Sequence, residues 1–101
     1  MALTREEITA LLRENYPDLR AKYGVKRSGL FGSYAKGTSS ETSDVDLVIE
    51  FDHPLGFRFI ELTEYLEHLL GKRVEVLTPA GIQDIRHPHI AEDIKRSIVY
   101  V

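Results

Sequence analysis

The segment Asp44-Val45-Asp46-Leu47-Val48-Ile49-Glu50-Phe51 constrains the fold more than any other part of the chain. Val45, Leu47, Val48, Ile49 and Phe51 make the strongest strand signal in the sequence, and His53-Pro54-Leu55-Gly56 breaks it. Strands disfavour aspartate, so Asp44 and Asp46 inside this apolar run require an explanation.

The flanking segments read as helices and shorter strands. Thr4 is positioned to cap a helix, with Glu7 closing a capping box and Leu3 and Ile8 forming a hydrophobic staple. Ile8, Leu11 and Leu12 mark its apolar face, and Pro17 ends or kinks the run. Asp18 to Tyr23 adds a further turn or two, stopped by Gly24. Val25 to Phe31 reads as a short strand and residues 37–43 as a polar loop. Phe59, Leu62, Leu66, Leu69 and Leu70 follow helical spacing up to Gly71, and Val74 to Thr78 is a third strand stopped by Pro79. Ala80 to Arg96 reads as one or two short helices, with Ile82 and Ile85 on the first and Ile90 and Ile94 on the second. Ser97 to Val101 is an apolar tail suited to an edge strand or a tied-down terminus. Helices alternating with three or more strands indicate an α/β (α+β) domain around one sheet, with residues 1–101 as a single unit.

Composition excludes several classes of function. The chain has no cysteine, which removes disulfides, thiolate nucleophiles and Cys-ligated zinc. No apolar run approaches the roughly 20 residues of a membrane span, and the N-terminal residues show no signal peptide, so a cytoplasmic protein is expected. Thirteen Lys and Arg against sixteen Asp and Glu give a net charge of −3. The basic residues are scattered rather than arranged in the stripe that binding to phosphate backbones favours, so nucleic acid is disfavoured as a partner.

Chemistry concentrates in Gly32-Ser33-Tyr34-Ala35-Lys36-Gly37 and Asp44-Val45-Asp46. Two residues apart on a strand, Asp44 and Asp46 share a face with Cα atoms roughly 6.5 Å apart, close enough to grip one metal ion or a close pair. Two carboxylates that close are unfavourable without a neutralising cation. An Asp-x-Asp alone is also compatible with a loop cap followed by a solvent-facing residue. Gly32-Ser33 after a strand, opening a short helix through Lys36, is a turn that aims backbone N–H groups outward as a cradle for phosphate. Gly32 and Gly37 have P-loop spacing, but Thr38-Ser39 stand where Lys-[Ser/Thr] is required, so a P-loop NTPase is rejected.

Gly32-Ser33, ten intervening residues and Asp44-x-Asp46 together resemble the signature of the DNA polymerase beta nucleotidyltransferase superfamily. The flanks Gly29-Leu30-Phe31 and Tyr34-Ala35-Lys36-Gly37 are most similar to its minimal nucleotidyltransferases, antitoxin-like partners of HEPN-domain toxins. The resemblance runs from about Leu11 to Tyr100 and implies a third carboxylate on a later strand. Glu75 in Arg73-Val74-Glu75-Val76 supplies it where members more usually carry Asp. The implied chemistry is transfer of a nucleoside monophosphate, AMP from ATP, to a protein hydroxyl, a tyrosine of a HEPN toxin. Asp44, Asp46 and Glu75 are then the catalytic and metal-binding residues, holding two Mg²⁺ ions, and Gly32 and Ser33 bind the nucleotide's β/γ-phosphates. A hetero-oligomer with the toxin follows from the same resemblance. The alternative is a catalytically weak, nucleotide-binding antitoxin that acts by contact with its partner, motivated by glutamate in place of aspartate at Glu75.

Other residues carry weaker signals. His87-Pro88-His89 suits a helix start better than a metal pair, and His53 and His68 read as surface residues. Lys36, Lys72 and Arg73 suit a solvated face or the neutralisation of a triphosphate. Tyr34 is compatible with stacking on a base or with covering the core, and Glu50 with supporting the site or with simple exposure.

Overall fold

The computed structural model describes residues 3–38 and 43–101. Most of the polar loop expected over residues 37–43 lies outside the described residues. Four strands, β1 (Val25–Phe31), β2 (Val45–Phe51), β3 (Val74–Leu77) and β4 (Val99–Tyr100), form one sheet in the order β3-β2-β1-β4. Six helices accompany them: α1 (Arg5–Glu14), α2 (Tyr16–Tyr23), α3 (Gly32–Lys36), α4 (Arg58–Leu70), α5 (Pro79–Gln83) and α6 (Pro88–Ser97). β2 pairs antiparallel with β1 and parallel with β3, and β4 pairs antiparallel with β1, so the expected sheet is a four-stranded mixed one.

Period-two alternation along the strands divides the protein into layers. Val45, Leu47 and Ile49 of β2 point to a core that α1, α2 and α4 cover with Ile8, Leu12, Leu19, Leu62, Leu66 and Leu70. Val48, with Phe31 and Leu77, points to the other face, where Ile82, Ala91 and Ile94 pack. That second layer is thin, because α6 contains no fully buried residue. Asp46 has the parity of Val48, and Glu75 that of Leu77, so both acids belong to this thinly covered face.

The helix boundaries follow local chemistry. Thr4 caps α1 in a complete capping box with Glu7, and Leu3 packs against the core. The break near Pro17 falls two residues earlier than the proline itself. Asn15 ends α1 by bonding back to Leu11 O through its side chain (2.8 Å) and its backbone N–H (3.1 Å). Pro17 instead sits in the first turn of α2, where a missing N–H leaves no bond unmade. Gly24 and Gly71 end α2 and α4, His87 caps α6 ahead of Pro88, and the C-terminal tail does form an edge strand.

Three expectations need correction. Asp44 precedes β2 rather than opening it, because pairing with β3 begins at Val45, whose N–H donates to Arg73 O at 2.9 Å. Thr78 leaves β3 to cap α5, its hydroxyl accepting from Gly81 N at 3.0 Å. Ile85 lies just beyond α5, packed against the second cluster.

Candidate active site

Strand register assembles the site. Phe31, at the end of β1, lies opposite Asp46, so the residue that follows it arrives beside that carboxylate. That residue is Gly32, with φ 73°, in the left-handed region that only glycine enters without strain. A Cβ at this position would overlap Asp46 Oδ2. Gly32 is therefore required twice, once for its backbone angle and once for the close approach of the acid.

On its other side Asp46 meets Glu75, its register partner in the parallel β2/β3 pair. The two carboxyls are within hydrogen-bonding reach of each other. Burial, then the charge of Glu75, its hydrogen bond and the charge of Asp44 push the Asp46 carboxyl up to about 6. Asp44 is exposed and acts on Asp46 through its charge. The structure thus brings Asp46, Glu75 and Gly32 into direct proximity, with Asp44 one step outside. Among the described residues, no three His, Asp or Glu side chains close into a single metal-ligand cluster.

The donor set nevertheless suits a hard divalent cation. Asp46 and Glu75 offer oxygen donors only, they come from adjacent strands, and Asp46 is disfavoured as an anion by its surroundings. A bound cation would relieve that strain.

Ser33 follows in α3, and its carbonyl accepts from Thr38 N at 2.9 Å, which closes the helix. Among the described residues its hydroxyl has no hydrogen-bond partner. Arg5, which the sequence did not single out, donates to Ala35 O at 3.0 Å and fastens α3 to the start of α1. No local pattern marks such a long-range contact.

The ambiguous residues are resolved by packing. Tyr34 is a core residue, 1% exposed, and its hydroxyl is buried with no hydrogen-bond partner among the described residues. Lys72 turns inward rather than outward: its Nζ donates to Ser43 O at 3.4 Å and lies 5.7 Å from the centre of the Tyr34 ring. It thereby ties together the approach to Asp44, the helix carrying Ser33 and the start of the strand carrying Glu75. Glu50 pairs with Arg27 at 3.6 Å, away from the site. Lys36, Arg73, His53 and His68 are exposed.

Comparisons with known proteins agree with this fold. The profile of the Nucleotidyltransferase domain family matches residues 12–101. The protein adenylyltransferase MntA of Thermococcus cleftensis is 42% identical over 98% of this chain and 97% of its own length. A solved minimal nucleotidyltransferase superposes with a TM-score of 0.72 at 32% identity, covering 96% of this chain and 95% of that one. A toxin–antitoxin crystal structure with AMP-PNP shares the fold, with a TM-score of 0.63 at 22% identity over 97% of this chain and 72% of that one. A glycine turn packed on an acid of the central strand, with a second acid beside it, thus occurs in a chain that matches this family along nearly its whole length: the chain belongs to the nucleotidyltransferase domain family and is a nucleotidyltransferase of the minimal type.

Proposed function

We propose that this chain, working as one unit over residues 1–101 in the cytoplasm, transfers AMP from ATP to a protein hydroxyl. The acceptor is a tyrosine of a HEPN-domain toxin, and the chain acts as its antitoxin. The observation that carries the reading is Asp46 held between the Gly32 backbone and Glu75. The protein adenylyltransferase of Thermococcus supports the reaction, and the toxin–antitoxin structure with AMP-PNP supports a toxin as partner and an adenine nucleotide as substrate.

Asp44, Asp46 and Glu75 would hold Mg²⁺, two ions in this reading, which supply neutralisation of the triphosphate and activation of the acceptor hydroxyl. Gly32 and Ser33 orient the β/γ-phosphates, with the Ser33 hydroxyl available as a donor. The acceptor oxygen bonds to the α-phosphorus while the bond from that phosphorus to the bridging oxygen breaks, and pyrophosphate leaves. Glu75 takes the hydroxyl proton.

The test is labelled ATP with Mg²⁺ and the toxin encoded beside this chain. Label should appear on the toxin and disappear with Asp44→Ala or Asp46→Ala; label that persists in both variants overturns the reading. A second reading, neutralisation by contact alone, is favoured by Glu75 standing in place of aspartate. It expects Asp46→Ala to neutralise the toxin as well as the unsubstituted chain does.

A further inference from the structure

The chain carries five tyrosines, and four of them are committed within the fold. Tyr23 and Tyr34 are core residues, 6% and 1% exposed. Tyr16 donates its hydroxyl to Lys26 O at 3.0 Å, and Tyr65 donates its own to Asn15 Oδ1 at 3.3 Å. Tyr100 is 50% exposed, and among the described residues its hydroxyl has no hydrogen-bond partner. A phenol with its proton and lone pairs uncommitted is the form in which tyrosine attacks phosphorus.

The surroundings of Tyr100 favour modification. It lies on β4, a strand of two residues at the sheet edge, paired with β1 through Gly29 and Leu30. So short an edge segment opens at little cost in free energy. The ring packs over Gly29, and the Arg27 guanidinium stacks on it 4.1 Å from its centre. A phosphodiester formed on the hydroxyl would meet that cation as a charge partner.

Register decides which active site can serve this hydroxyl. Tyr100 and Val48 both pair with Gly29, whereas Asp46 pairs with Phe31, two residues further along β1. Two strand spacings and two residue rises put Tyr100 and Asp46 roughly 12 Å apart at Cα. Phe31, Ile94 and Ile98 pack together on the face to which Asp46 belongs. Arg27, two residues before Gly29, holds the ring on the side away from Phe31. Within one copy the hydroxyl is therefore turned from the acids, and a second copy can present it without that obstruction.

We infer that Tyr100 of one copy of this chain accepts AMP from the active site of another. Tyr100 Oη bonds to the α-phosphorus of ATP, the bond from that phosphorus to the bridging oxygen breaks, and pyrophosphate leaves. The phenolic proton passes to Glu75 of the active copy. This rests on the transfer reading and adds to it a second acceptor, the chain itself.

The experiment incubates the full chain with labelled ATP and Mg²⁺, with and without the toxin encoded beside it, and locates the label by peptide mass mapping. Tyr100→Phe keeps the ring for the Arg27 stack, and melting curves check that it folds. The unsubstituted chain should carry AMP on Tyr100. Tyr100→Phe should lose that label and still modify the toxin within about twofold, as expected of a surface substitution. An Asp46→Ala copy, inactive itself, should be labelled on Tyr100 when the Tyr100→Phe copy serves as the enzyme. Label on the toxin with none on the chain overturns the inference and leaves the transfer reading standing. Chain label that survives Tyr100→Phe also overturns it, as does an Asp46→Ala copy that stays unlabelled in the mixture. No label on either protein overturns the transfer reading and the inference together.

Discussion

Replacing Asp46 with asparagine should make the metal-free protein more stable at neutral pH while abolishing its activity. Asp46 has its carboxyl pushed up to about 6, from an ordinary value of 3.8, by burial and by Glu75 and Asp44. The fold therefore favours the protonated acid. Its contribution to stability is fully present below about pH 4 and is lost as pH rises through about 6. Full conversion of that displacement gives a ceiling of about 3 kcal/mol. Asp46 is only half-buried, and solvent screening reduces the expected effect to about 1 kcal/mol. Asparagine keeps the shape and removes the charge, so at pH 8 the variant should melt roughly 4–8 °C higher, the shift expected for a domain of this size. At pH 4 the two proteins should melt together. Added Mg²⁺ should raise the melting temperature of the unsubstituted chain at pH 8, by linkage to the folded state, and leave the variant unmoved. The assay is a pair of thermal melts across pH 4–8, with and without Mg²⁺. A variant that melts at or below the parent at pH 8, with the same pH slope, refutes the claim that burial and neighbouring acids strain Asp46.

Gly32→Ala places a methyl against Asp46 Oδ2 at a backbone angle of φ 73°. It should cost about 1–2 kcal/mol in a denaturant melt and reduce transfer by about a hundredfold through the displaced carboxylate. Lys72→Met keeps the aliphatic stem but loses the bond to Ser43 O. It should lower stability by about 1 kcal/mol and raise the metal concentration needed for half-maximal transfer, with Lys72→Arg restoring both in the same titration. Arg27→Ala removes the exposed pair with Glu50 and the 4.1 Å stack on Tyr100, on a part of the sheet away from Asp46. Its cost should stay within about 1 kcal/mol by denaturation, with transfer unchanged.

The elements that depend on near neighbours were legible in the sequence. The capping box at Thr4 and Glu7, the stops at Gly24 and Gly71, the helical stripe through Leu62, Leu66 and Leu70 and the strand through Ile49 all formed where the pattern placed them. Each is decided by residues within a turn or a strand length of one another. The short helix from Gly32 to Lys36 belongs with them.

Sequence alone also determined the family, because a Gly-Ser turn at fixed distance from Asp44-x-Asp46 is a pattern in one dimension. It could not decide how those residues meet. That Gly32 must lack a side chain because Asp46 lies against it follows from the β1/β2 register. That Glu75 lies beside Asp46, and that Asp44 stands just off the strand, follows from where the parallel β2/β3 pairing begins. Tyr34 is packed in the core, with the Lys72 ammonium 5.7 Å from the centre of its ring. Strand register and layer packing join residues tens of positions apart, and the free energy that selects them comes from burying the whole sheet rather than from any local segment. The sequence therefore supplied the candidate groups, and the tertiary structure decided which of them meet and pushed up the carboxyl of the acid at their centre.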